Sequence, residues 1–217
     1  MRLTRFLLYF LLLASCSHKD LITETTIPED GLSKLLQGNT LFRIDSPKGK
    51  ISSLQNSQLP FAIVITCSDS RVSPELIFHQ GLGDLFVIRT AGNIIGDYEL
   101  GSVEYALESF QTNLIVVLGH ENCGAVTAYV NGDHELKGNI KTIVDYIGNE
   151  EEEISLSEED RHSLAKSVNA NIRHAVNVLR KSEPIIGDRL RNNKIRIIGA
   201  LYHMSDGRVE IIDENNP

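Results

Sequence analysis

Four short apolar runs, at residues 61–66, 85–88, 114–118 and 195–200, constrain the fold more than any other feature of the chain. Each is rich in valine and isoleucine, and none alternates apolar with polar residues. A strand with one wet face alternates, whereas a strand covered on both faces does not. Helical patterns separate most of the runs. Residues 96–110 carry Val103, Ala106, Leu107 and Phe110 at helical spacing. Residues 157–182 open with a near capping box at Ser157 and Asp160 and continue with Leu164, Val168, Ile172, Val176 and Leu179 on one stripe. Strand–helix alternation of this kind predicts an α/β fold, with a central, mostly parallel β-sheet of four strands flanked by helices. An edge strand is expected at 208–212, after the turn at Asp206-Gly207. Upstream, Leu32, Leu35 and Leu36 share one helical face. The segment GNEEEEISLSEED, residues 148–160, reads as a solvated acidic loop.

The 217 residues suit a single domain with a real core. A net charge of -8, with no basic cluster interleaved with aromatics, argues against a nucleic-acid partner. The first residues stand apart. Arg2 and Arg5 precede an apolar run from Phe6 to Leu13 and then small residues, the order of a secretory signal. The run is too short for a good membrane-spanning helix. Its end, Leu13-Ala14-Ser15-Cys16, resembles the lipobox of bacterial lipoproteins, which implies cleavage before Cys16 and acylation of that cysteine. A plain signal peptide and a buried apolar N-terminus are the alternatives. The expected organisation is a signal peptide over 1–15, a lipidated tether over 16–28 and one domain over 29–217, exported and anchored on the periplasmic or cell-surface side of a membrane.

Export sharpens the question of the other cysteines. Cys67 and Cys123 would sit where disulfides are normal, so they either pair or are both occupied by something else. Each lies in a loop that follows a buried run: Cys67-Ser-Asp69-Ser-Arg71 after the first, and Gly119-His120-Glu-Asn-Cys123-Gly124 after the third. Sites in open α/β sheets collect at the carboxyl ends of strands. Two such ends facing each other would gather Cys67, His120 and Cys123. Three protein ligands with one open position describe a catalytic zinc site. A Cys67–Cys123 disulfide is the competing reading.

The loops CSDSRV and GHENCG resemble those of the β-class carbonic anhydrases, as do GDLFVIRTAGN at 83–93, GSVEYAL at 101–107 and LIVVLGHENCGAV at 114–126. The resemblance runs from about Leu32 to Ile212. It implies one Zn2+ per subunit held by Cys67, His120 and Cys123, and an Asp69–Arg71 dyad that orients a zinc-bound hydroxide for reversible hydration of carbon dioxide to bicarbonate. It also implies a substrate pocket of Gln58, Phe86 and Tyr105, the last reaching in from a partner subunit of a homodimer or higher oligomer, with an N-terminal helical arm embracing that partner. In some members the counterpart of Asp69 takes the fourth metal position, so Asp69 is expected as dyad member or metal ligand. Some members bind bicarbonate at a second site that uses a tryptophan; this chain has none. His203 stands where an acidic residue is more usual, and is expected to affect edge or subunit contacts and not the zinc. Two rivals remain: a zinc hydrolase of a related linear molecule, carbonyl sulfide or carbon disulfide, and a non-catalytic exported binding protein with a disulfide.

Overall fold

The apolar runs become strands whose ends reach further than the runs themselves. In the computed structural model, which describes residues 30–46, 49–132 and 135–214, the elements in chain order are α1 (Gly31–Asp45), α2 (Lys50–Ser53), β1 (Ala62–Cys67), α3 (Pro74–Ile77), β2 (Leu85–Thr90), α4 (Asp97–Ser109), β3 (Leu114–His120), α5 (Gly124–Val130), α6 (Asn139–Gly148), α7 (Glu151–Ile154), α8 (Glu158–Arg161), α9 (Leu164–Lys181), α10 (Ile185–Arg191), β4 (Arg196–Tyr202) and β5 (Val209–Asp213). A 3-10 turn, Ala91–Asn93, follows β2. The expectations for a signal peptide, for Cys16 and for the tether lie outside the described residues. No helix among the described residues is long and apolar enough to cross a membrane.

Residue contacts divide the chain into two units, 1–51 and 52–217. In the first, α1 starts at Asp30, whose carboxylate accepts from the Ser33 amide (2.8 Å) and hydroxyl (2.7 Å). This satisfies a helix-start donor. The shared face of Leu32, Leu35 and Leu36 is as read from the sequence, but it is exposed, and α1 buries no residue.

The second unit holds one five-stranded sheet in the order β2-β1-β3-β4-β5. β1 to β4 pair in parallel and β5 is the antiparallel edge, as expected. The chain steps from β1 outward to β2, then returns to the other side of β1 for β3. That reversal makes the carboxyl ends of β1 and β3 the topological switch point, where a crevice opens. Both faces are covered. On one, Ile63, Ile65, Ile115, Val117 and Ile197 pack with Val103 and Leu107 of α4 and Ile172, Val176 and Leu179 of α9. On the other, Val64, Leu118 and Ala200 pack with Val72, Ile77 and Phe78. Double coverage is why β1, β3 and β4 do not alternate; β2, expected to be buried on both faces, is only half-buried because it lies at the sheet's edge.

Two expectations fail. The stripe over 157–182 is not one helix: α8 ends at Arg161 and α9 begins at Leu164, although Ser157 caps α8 by accepting from the Asp160 amide at 3.2 Å. The acidic segment is not a solvated loop. It includes α7, and it buries Glu150 (2% exposed) and Glu153 (0%). Helix α9 carries a polar stripe that meets them: Asn171 Nδ2 donates to Glu150 Oε1 (2.9 Å) and the Ser167 hydroxyl to Glu153 Oε1 (2.9 Å). Glu152 takes His174 and Asn177, and Glu151 takes Lys181. The run of like charges is sorted by the helix it faces, which composition alone does not reveal.

Burial pushes the Glu150 carboxyl up to about 8, opposed by the Asn171 hydrogen bond and reinforced by neighbouring Glu153 and Glu152. The folded chain therefore keeps a proton that the unfolded chain releases above about pH 4.5. Stability from this group falls as pH rises from about 4.5 to about 8 and levels off above that, by roughly 3–5 kcal/mol in all. Glu150→Gln is expected to flatten this decline, raising the melting temperature at pH 8.5 far more than at pH 5. An equal shift at both pH values would contradict the neutral buried acid.

Candidate metal centre

Pairing register brings the reactive loops together. Thr66 of β1 lies opposite Leu118 of β3, so Cys67 is level with Gly119 and one residue short of His120. Gly119 lets α9 close on the strand here: a Cβ would sit 2.4 Å from Ile172. His120 ends β3 with its side chain fully buried, and the turn after it delivers Cys123 at the start of α5.

Among the described residues, Cys67, His120 and Cys123 form the one group of three or more ligand-type side chains close enough for a metal ion, with donor atoms all within 4.8 Å of one another. The two sulfurs are 3.9 Å apart and neither is in a disulfide. A disulfide needs about 2.05 Å. Two thiolates on one tetrahedral zinc, each at about 2.3 Å, sit about 3.8 Å apart. The separation fits a shared ion better than a disulfide. His120 Nδ1 lies 2.8 Å from the Glu121 carbonyl, which fixes the proton there and leaves Nε2 free to bind. That Nε2 is buried without a hydrogen-bond partner. An orphaned imidazole nitrogen facing two thiols is costly unless a cation uses it. The hydrogen bond from Cys123 lowers the Cys67 thiol well below its ordinary value, with further help from His120 and the Gly92 amide against the cost of burial. The same bond and burial push the Cys123 thiol up. One proton leaves easily; the second needs a bound cation to displace it.

Asp69 sits in the fork of Arg71. Arg71 Nε and Nη2 donate to its two oxygens at 2.9 and 2.7 Å, and the Arg71 amide adds a third bond at 2.9 Å. These bonds hold the Asp69 carboxyl well below the usual range. Oδ2 is 3.9 Å from His120 Nε2, but the carboxylate does not join the three clustered ligands. The sequence reading missed Arg89. Its Nε and Nη2 donate to the carbonyls of Cys67 (3.1 Å) and Asp69 (2.6 Å) and clamp the loop between them. Its signal was available, since Arg89 is a charged residue directly after the apolar run 85–88, much as Asp69 stands just past the run 61–66.

One chain does not bring the expected pocket residues to this end of the sheet. Phe86 pairs in register with Ile63, four residues short of Cys67, or about 13 Å along the strand. It clusters with Tyr105 and Phe110, with ring centroids about 6 Å apart. Gln58 is exposed before the opposite end of β1. His203 bridges Glu121 (2.8 Å) and Glu210 of β5 (2.9 Å), and Glu121 also accepts from the Met204 amide. It therefore touches the edge strand, as expected, and also the ligand-bearing turn, which was not expected.

A doubly wound sheet with a Cys2His group at its switch point defines an α/β protein with a candidate metal site. Comparison with known proteins gives the family. The carbonic anhydrase family model matches residues 62–209. A carbonic anhydrase of Mycolicibacterium smegmatis is 36% identical over 84% of this chain and 89% of its own length. Carbonic anhydrase 2 of Mycobacterium tuberculosis is 33% identical, covering 87% and 94%. Among solved structures, the β-carbonic anhydrase CcaA superposes with a TM-score of 0.72 at 31% identity, covering 85% of this chain and 96% of that one. A Coccomyxa β-carbonic anhydrase in complex with acetazolamide gives 0.71 at 26%, covering 87% and 89%. The chain belongs to the carbonic anhydrase family, and its fold is that of the β class.

Proposed function

We propose that this protein catalyses the reversible hydration of carbon dioxide to bicarbonate and a proton, with one zinc ion held by Cys67, His120 and Cys123. The observation that carries the reading is the convergence of these three donors beside an Asp69 already locked to Arg71. Zinc bound there would lower the pKa of a coordinated water from about 15.7 to about 7, supplying a nucleophile at neutral pH. The chain's own residues do the rest. Asp69 stays ionised and accepts a hydrogen bond from the reacting water, aiming the oxygen's lone pair. Arg71 holds Asp69 in place and neutralises it. With both oxygens engaged by Arg71, Asp69 acts as an orienting acceptor in this arrangement and not as a fourth ligand. Arg89 keeps the Cys67–Asp69 loop from drifting. Stopped-flow carbon dioxide hydration by the purified zinc protein tests the reading; a zinc-loaded protein with no rate above buffer contradicts it.

The enzyme is further proposed to work as a homodimer or higher oligomer. Gln58, Phe86 and Tyr105 lie far from Cys67 of their own chain, so they can line a carbon dioxide pocket only by serving a partner's metal. Tyr105 is 57% exposed, and Leu32, Leu35 and Leu36 offer an apolar helix face that a second copy would cover. Light scattering is expected to give at least two chains per particle. Changing all three leucines to serine should shift the protein toward monomer and reduce hydration; a fully active monomer would refute the shared pocket. The lipobox reading belongs here as well. Cys16→Ser is expected to release the protein from the membrane fraction while leaving its specific activity unchanged.

A further inference from the structure

The acidic segment's buried glutamates take no part in the chemistry above, yet one of them connects to the metal centre. The turn Ala91–Asn93 points the Gly92 amide at the Cys67 sulfur, 3.3 Å away. An N–H donated to sulfur stabilises the thiolate and fixes its direction. The turn is held in an uncommon backbone form: Gly92 has φ 72° and Asn93 φ 46°. A side chain on Gly92 would press on Ala125 (3.1 Å) and Ile147 (3.2 Å), so the turn is wedged as well as bent.

Asn93, 1% exposed, donates from Nδ2 to Asn171 Oδ1 at 2.7 Å. That bond commits the Asn171 amide, also 1% exposed, to donate in turn, and its Nδ2 reaches Glu150 Oε1 at 2.9 Å. Glu150 stands between α6 and α7, and its second oxygen is buried without a partner. Three buried polar side chains thus link the turn that touches Cys67 to the segment between α6 and α7. Such a chain is expensive to bury, and an apolar trio would pack at less cost.

We propose that Asn93, Asn171 and Glu150 form a strut that fixes the Gly92 amide on the Cys67 sulfur, making Asn171 and Glu150 positioning residues for the metal centre. This rests on Cys67 being a metal ligand. The strut works through hydrogen-bond direction, so Glu150→Gln, which keeps the accepting oxygen, preserves it. Asn171→Leu breaks the middle link at similar volume. Asn93→Gly breaks the first link while keeping the left-handed backbone that glycine tolerates.

The test uses the full chain loaded with cobalt(II) or zinc(II). A thiolate that loses an N–H bond donates to cobalt at lower energy, so the sulfur-to-cobalt charge-transfer band should move to longer wavelength in Asn171→Leu and Asn93→Gly. Zinc should pass to a chelator about 10–100-fold more readily in both variants. Glu150→Gln should match the wild type in band position and zinc affinity. A wild-type protein that binds no cobalt defeats the metal-centre reading itself. Wild-type loading, with an unmoved band and unchanged zinc affinity in Asn93→Gly, defeats the strut alone; Asn93→Gly decides the matter if Asn171→Leu does not fold. A band shift in Glu150→Gln equal to that of Asn171→Leu also overturns it.

Discussion

His120→Ala is expected to leave the purified protein without zinc and without measurable carbon dioxide hydration. His120 is the one ligand in the group with a buried, unpartnered donor atom, and its ring is oriented by the Glu121 carbonyl before any ion arrives. Tightly held zinc in small sites is worth about 10–16 kcal/mol, so losing one of three ligands should weaken binding by about 10^2- to 10^4-fold. Cys67→Ser and Cys123→Ser should behave alike, since a serine hydroxyl is not a thiolate at neutral pH. The alanine variant also relieves a desolvated nitrogen, so the metal-free protein should lose less stability than the burial of His120 suggests. Metal analysis after gel filtration and stopped-flow hydration check both parts. A His120→Ala protein that retains one zinc and full turnover would remove His120 from the centre.

Asp69→Asn is expected to separate metal binding from turnover. The carboxylate lies outside the three clustered donors, so zinc content should remain near one per chain. Turnover should fall by roughly 10^2- to 10^3-fold, the usual cost of removing one preorganised hydrogen-bond partner of a reacting group. Asparagine keeps the shape but presents an amide donor where an acceptor is needed. Stability should hardly change at pH 7, because Arg71 is 57% exposed and such a pair contributes about 0–1 kcal/mol. The sign of the pH effect follows from the depressed Asp69 carboxyl. Its contribution is present above the ordinary aspartate range and is lost only as pH falls below that range, so Asp69 should put no inflection into the activity profile between pH 5 and 9. Wild-type turnover in Asp69→Asn would show that the dyad does not orient the reaction.

The two-sided coverage of β1 and β3 was readable because residues 61–66 and 114–118 lack any polar alternation. The metal ligands were readable because chemistry sits at strand ends and because His120 and Cys123 share one turn. What sequence could not give was the lateral order of strands. Only that order puts β1 beside β3 and makes their ends a crevice. Register likewise determines that Phe86 stands level with Ile63, which turns a pocket residue into an argument for a partner subunit. The acidic segment was misread for a related reason. Glu150 and Glu153 look like solvated charge until Asn171 and Ser167 of α9 face them. The leucine face of α1 has a helix's periodicity, but periodicity does not say what covers it.

The proposed chemistry requires Cys67 and Cys123 to be held apart as thiolates on one ion with His120. Zinc content measured together with thiol counting on the denatured, chelated protein tests this most directly. The expected result, on protein with Cys16 removed or blocked, is one zinc and two free thiols per chain. A protein with no metal and no free thiols, its Cys67 and Cys123 joined in a disulfide, would contradict it.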